Sequence, residues 1–201
     1  EFNHQMDIKQ SHLFIAYSAP SKYSDERNRV SIDVLSQILS RGISPLLYYS
    51  INAKRRLVHR IRMIYNSLEF GGVVIVHAIL DKRNLQLVKK KIIRFFRDLK
   101  KFRFSKSDYP SSQWQHVRDY LKIAQTIMRF SYNAFLEQGI NLSRSYAKYI
   151  LRFDNKRRSD YNAILKSIRS ADIKKSASKY FTGKHYVALS ITPAKKKKEK
   201  R

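Results

Sequence analysis

From Leu13 to Ala19 apolar residues alternate with smaller or polar ones, and Phe, Ile and Tyr are frequent, which predicts a half-buried strand ended by Pro20-Ser21. Ser24-Asp25-Glu26 then opens a helix, its acidic groups lying near the positive end of the helix dipole. Val30, Val34, Leu35, Ile38 and Leu39 fall on one stripe of that helix, and Gly42 follows where a left-handed cap is expected. Ser44-Pro45 opens a second helix with Leu46, Leu47 and Ile51 on its apolar side, and the basic run Lys54-Arg55-Arg56 is expected to close it. Val58 to Leu68 and Gly72 to Leu80 read as two strands joined by a hairpin turn at Gly71-Gly72. The run Val73 to Leu80 is almost continuously apolar, which predicts a central strand covered on both faces.

The second half is helical. Asn84 is an expected N-cap, and Leu85, Val88, Ile92, Phe95 and Leu99 recur at steps of three and four. After a loop from Ser105 to Ser112, Trp114, Val117, Leu121, Ala124 and Met128 mark one side of a long helix. Further helical pieces are expected at Leu142 to Phe153, Asp160 to Arg169 and Asp172 to Phe181. Tyr186 to Ile191 reads as a last strand, stopped by Pro193. The order β-α-α-β-β-α, several further helices and a closing β does not alternate as in a doubly wound sheet. It predicts an α+β fold: a mixed, largely antiparallel sheet with helices packed on one face. Residues 11–193 are expected to form one domain, 1–10 an extension or linker that is partly cloning-derived, and 194–201 a basic disordered tail. The absence of an initiator Met reads as a processed chain or a cut-out fragment.

Charge changes the picture next. The chain holds 42 Lys and Arg against 15 Asp and Glu, a formal +27, which draws in anions: nucleic acid, acidic lipid or an acidic protein. The charges are spread along the chain rather than gathered in one arm, the pattern of a generally basic surface. Lys54, Arg55 and Arg56, and Lys195, Lys196, Lys197 and Lys198 in the tail, are the candidate contacts for a partner or an anion. No run of apolar residues is long enough to span a membrane. With no Cys, disulfide and thiolate chemistry is excluded, and nothing in the composition assigns a compartment.

The usual catalytic signatures are missing. There is no G-x-x-x-x-G-K-[ST] loop, G-x-G-x-x-G fingerprint, G-x-S-x-G elbow, H-E-x-x-H or H-x-x-E-H. None of the 6 His has another His at short metal-ligand spacing. His77, alone on a strand, reads as a packed or hydrogen-bonded residue. Asp25-Glu26, Asp160 and Asp172 read as helix starts. Phe95-Phe96-Arg97, Lys101-Phe102-Arg103-Phe104 and Tyr48-Tyr49 mix aromatic with basic residues as single-strand binders do, but their aromatics fit apolar stripes better.

Several strings, in order, resemble the pitrilysin-type metallopeptidase family, which includes mitochondrial processing peptidase and its bacterial relatives. Ser11 to Tyr17, Ala19-Pro20, Ser24-Asp25 and Val34 to Leu39 resemble its strand, small-Pro, Ser-Asp and helix ending in Ile-Leu. Gly42 to Tyr48 is similar to its Gly-x-x-Ser-Arg-Leu-Phe turn, and Lys54 to His59 to its Glu-Lys-Arg-Gly-Leu-Ala-Tyr segment. Ser170 to Phe181 resembles its closing helix.

The resemblance implies two homologous halves per subunit, the first holding zinc through H-x-x-E-H and a downstream Glu, the second enclosing the peptide without metal. This chain lacks the zinc motif and so resembles the second half. The Arg and Tyr that this half contributes in active relatives fall on Asn52 and His59 here, and Leu46 stands where the turn has Arg. Asn lacks the charged fork of Arg, and His lacks the phenol.

The expectation is therefore a non-catalytic C-terminal domain that carries no cofactor itself, with zinc in the catalytic half. The parent is either an active metallopeptidase or an inactive homologue. The expected partners are that catalytic half or a homologous subunit, and a peptide in the chamber, with self-association when the domain is isolated. A basic module for nucleic acid or an acidic protein partner is the alternative. An independent enzyme with dispersed catalytic residues ranks last.

Overall fold

The computed structural model describes residues 1–40, 45–53, 55–108, 119–153 and 161–194. Five strands form one sheet: Phe2–Met6 (β1), Ser11–Ala19 (β2), Arg60–Ser67 (β3), Gly72–Leu80 (β4) and Val187–Pro193 (β5). Their spatial order is β1-β5-β2-β4-β3. Only β1 and β5 are parallel; β2 pairs antiparallel with both β4 and β5, and β3 with β4. The described helices are Glu26–Ser40 (α1), Leu46–Asn52 (α2), Leu85–Asp98 (α3), Tyr120–Glu137 (α4), Gly139–Phe153 (α5), Tyr161–Ser167 (α6) and Ser170–Tyr180 (α7). The expected α+β class, with a mixed, mostly antiparallel sheet, is what the chain forms.

The core lies between one face of the sheet and the helices. Leu13, Ile15 and Tyr17 of β2 meet Ala78, Val76 and Val74 of β4 in register, and all six are buried. Above them α1 contributes Val30, Val34, Leu35 and Leu39, α3 contributes Val88, Ile92 and Phe96, and α7 contributes Ile173 and Ala177. The rings of Tyr17 and Phe96 stack at 5.3 Å, and Phe181 meets Tyr17 edge-on at 5.3 Å. α1 is the central helix of the layer, touching α2, α4, α6, α7 and β3.

The structure departs from the sequence expectations at several points. In β4 burial alternates: Val74, Val76, Ala78 and Leu80 are buried, whereas Val73, Ile75, His77 and Ile79 are only half-buried. Its apolar run therefore does not mean two covered faces within this chain, because the described helices pack on one side only. Part of the expected N-terminal extension forms β1, with Phe2 opposite Leu189 and Met6 opposite Pro193. α2 stops at Asn52, so Arg55 and Arg56 lie beyond the helix rather than at its end. Asn84 does not cap α3 through its side chain; its Nδ2 donates to the Leu57 carbonyl at 3.3 Å. Gly42, Trp114 and Val117 lie outside the described residues, as does the tail 195–201.

Candidate functional site

The strand β3 ends the sheet, and beside it runs a groove with a volume of about 970 Å³. Asp33 and Gln37 of α1, Tyr49 of α2, Arg62 of β3 and Tyr132 and Phe135 of α4 are among the residues that line it. An edge strand has one row of backbone groups that the sheet leaves unpaired. Here α1 takes up part of that row: Ser36 Oγ donates to the Met63 carbonyl at 3.3 Å, and the Met63 N–H donates to Ser40 Oγ. The helix thereby pins the strand at its middle, while both aromatic walls stay open to solvent, Tyr49 being 54% and Phe135 47% exposed.

Of the two positions where the resemblance places Arg and Tyr, the structure brings only one to the groove. His59 lines it, half-buried, with its Nε2 3.2 Å from Asp81 Oδ1. Asn52 turns the other way: its Oδ1 accepts the N–H groups of Leu57 (2.8 Å) and Val58 (3.1 Å), and its Nδ2 donates to the Val58 carbonyl (3.3 Å). Its role is to fold the segment leading into β3. Leu46 packs against the core.

The uncovered face of the sheet carries the second feature. The Phe14 and His77 rings stack at 4.3 Å, only 4° from parallel, and His12 Nδ1 lies 3.0 Å from His77 Nε2. Burial, then the neighbouring His12, Arg62 and Arg60, lower the His77 pKa to about 4, so the ring is neutral near neutral pH. His77 is thus packed and hydrogen-bonded, as its isolation in the sequence implied. Ile75, Ile79, Leu189 and Ile191 of the same face are half-buried. Among the described residues no group of three or more His, Asp or Glu could hold a metal ion. The His12–His77 pair supplies two ring nitrogens and no third ligand, which does not fit zinc. No described helix is long and apolar enough to cross a membrane.

Of the candidate anion contacts, Arg55 and Arg56 are exposed; Lys54 and Lys195 to Lys198 lie outside the described residues. The sequence reading missed Arg60, Arg62 and Phe135. The alternation Arg60-Ile61-Arg62-Met63 was a usable signal, because it puts both Arg side chains on the face opposite the buried Ile61 and Met63.

Residues 1–115 match the family model for the peptidase M16 inactive domain. The chain belongs to this family. It is an inactive, C-terminal-type M16 domain of a peptidase-like protein, as the pitrilysin resemblance implied. Solved structures share the fold. A protease from Helicobacter pylori is 18% identical with a TM-score of 0.75, over 96% of this chain and 44% of its own. A peptidase M16 inactive domain from Pseudomonas fluorescens is 15% identical with a TM-score of 0.67, over 98% of this chain and 44% of its own. A ferredoxin protease solved in complex with Arabidopsis ferredoxin is 9% identical with a TM-score of 0.70, over 96% of this chain and 20% of its own. This chain therefore spans less than half the length of each of these three chains. No curated protein matches the sequence.

Proposed function

We propose that this M16 domain is the non-catalytic half of a peptidase-like protein, and that it holds the homologous half on its uncovered sheet face while its β3 groove forms part of the wall around an extended peptide. The observation that carries this reading is the one-sided sheet. Phe14, Ile75, Ile79 and Leu189 form an apolar surface on the side away from the helices, and each loses only part of its exposure within this chain. A sheet face that presents these side chains uncovered, among His12, His77, Arg60 and Arg62, suits a docked partner better than bulk solvent. The role in this reading is enclosure, with the chemistry supplied by the other half.

The groove suits an extended chain. The seven residues from Arg60 to Asn66 that line it span about 23 Å at strand rise. Tyr49 and Phe135 offer aromatic walls, and Asp33, Arg60 and Arg62 offer charge of both signs.

Co-expression with the zinc-bearing half of the parent protein tests the proposal. A one-to-one complex is expected, lost in Ile75→Asp and kept in Ser178→Asp, an exposed change on α7. If Ile75→Asp is folded and still forms the complex, the docking face lies elsewhere. Anisotropy with a labelled peptide should show weaker binding in Tyr49→Ala; unchanged binding removes the groove from the proposal.

A further inference from the structure

We propose that the outer face of α3 and α7, on the side of the molecule opposite the uncovered sheet, is a docking surface for an anionic lipid bilayer. It stands independently of the partner and peptide reading above.

Between Lys82 and Lys106 every ionisable side chain except Asp98 is Lys or Arg. The inner positions of α3 are apolar and buried, so its charges are forced outward. Leu87, Lys90, Arg94, Arg97 and Lys101 follow one another at steps of three and four, which makes a single outward row about 21 Å long. All five are exposed. Asp98 engages Arg97 at 3.3 Å and Arg94 at 3.8 Å, and leaves the row strongly positive.

The row continues onto a second element. α7 packs against α3 and against the turn Leu99–Lys101, and it adds the exposed Lys175 and Lys179. The Arg97 stem passes Gly183, where a Cβ would lie 3.4 Å from it, and Lys184 beside that glycine is exposed. At the other end, the Asn84 bond to the Leu57 carbonyl ties the start of α3 to the segment carrying Arg55 and Arg56. The acid on α7, Asp172, is turned away and held by Arg27.

Three features favour a bilayer over other polyanions. The charges spread over two helices and a turn, as a planar surface requires, rather than along one track. The α3 aromatics that would stack on bases, Phe95 and Phe96, are buried. The row is headed by an exposed leucine, which an interface accommodates and a phosphate backbone does not. Clusters of four to eight basic side chains at a membrane surface recognise acidic headgroups.

Sedimentation with vesicles of phosphatidylcholine, with and without about 30% phosphatidylserine, at about 0.15 M salt, tests the proposal. Binding is expected only with phosphatidylserine. The variant K90Q/R94Q/K101Q/K175Q should lose it by about tenfold or more, and K122Q/R129Q/R144Q/K166Q, which removes the same charge from α4 to α6, by about twofold at most. Amide exchange on the unaltered chain should show lipid-dependent protection in α3 and α7. Equal losses in the two variants would mean net charge alone is responsible and would overturn the proposal. So would no vesicle binding, lipid protection on the sheet instead, or a duplex DNA that binds more tightly and depends on the same four residues.

Discussion

Arg27 and Asp172, 145 positions apart, form a two-pronged ion pair: Nε donates to Oδ1 and Nη2 to Oδ2, each at 2.8 Å. Arg27 also donates to the Ser167 hydroxyl at 3.1 Å and carbonyl at 2.9 Å, so the start of α1 grips the corner between α6 and α7. Asp172 accepts the Arg169 N–H at 2.8 Å as well, fastening the first turn of its own helix. Bonding to Arg27 holds its carboxyl below the ordinary range. Asp172→Ala removes both ties and should cost about 1–2 kcal/mol. Arg27→Ala removes the ion pair together with both bonds to Ser167 while sparing the Arg169 contact, and should cost a similar amount. Urea midpoints decide this; an Asp172→Ala variant as stable as the wild type would mean that neither tie contributes.

Asp108 gathers four donors: Ser170 Oγ at 2.6 Å, the Phe104 N–H at 2.8 Å, Lys174 Nζ at 2.9 Å and the Ser105 N–H at 3.2 Å. Burial on its own raises the pKa of such a carboxyl. The bonds from Ser170, Lys174, Ser105 and Phe104 outweigh it and lower the value from 3.8 to about 2. The folded value lies below the unfolded one, so the carboxylate stabilises fully above about pH 4 and loses its contribution as pH falls through about 2. Asp108→Asn should cost about 1–3 kcal/mol at neutral pH and flatten the stability profile between those limits. An unchanged acid limb in the variant would refute this account.

His77 acts in the adjoining window. Its folded pKa of about 4 lies below the ordinary 6.5, so the fold favours the neutral ring. Stability is fully present above about pH 6.5 and declines as pH falls towards 4, where the ring charges beside His12, Arg60 and Arg62. His77→Phe keeps a ring against Phe14 and removes the titration. Melting temperatures from pH 7 to pH 4 should fall less steeply in His77→Phe than in the wild type. Parallel curves would assign the decline to other groups.

Local patterns carried much of the fold. β4 runs from Gly72 to Leu80, as its apolar run between Gly71-Gly72 and Asp81 predicts, and the α1 stripe is the core stripe. Where a residue's partner is distant in sequence, the pattern fails. β1 has no buried residue, and only its register with β5 makes it a strand. The open sheet face is hard to read because Ile75 and Ile79 are as apolar as Val74 and Val76; which set is covered depends on the helices. The groove joins Asp33, Arg62 and Phe135, which no single window of sequence contains.

Gly72 shows a contact of this kind. A Cβ at this position would collide with the Pro20 carbonyl oxygen, which is backbone and cannot swing aside. That oxygen also accepts the Tyr65 hydroxyl at 2.7 Å, so moving it disturbs β3 as well as the end of β2. Gly72→Ala should destabilise by about 1–3 kcal/mol, whereas Gly71→Ala, with nothing within 4 Å, should stay near neutral. Thermal melts of the two variants distinguish them; equal melting temperatures would contradict the close approach.

Asn52 separates a structural role from a binding one. The resemblance puts an Arg here, yet the side chain faces the backbone of Leu57 and Val58, both buried. Asn52→Ala leaves those two N–H groups without their acceptor and should cost about 1–3 kcal/mol. Asn52→Arg restores the family residue but cannot accept a hydrogen bond, since guanidinium only donates. It should lose at least as much stability as Asn52→Ala and gain no peptide affinity, because position 52 is directed into the turn before β3 and away from the groove. Melting temperature and peptide anisotropy on the same samples decide the matter. A stable Asn52→Arg that binds peptide more tightly would mean that the turn can reopen to present an Arg, and that Asn52 marks a lost binding residue rather than a structural one.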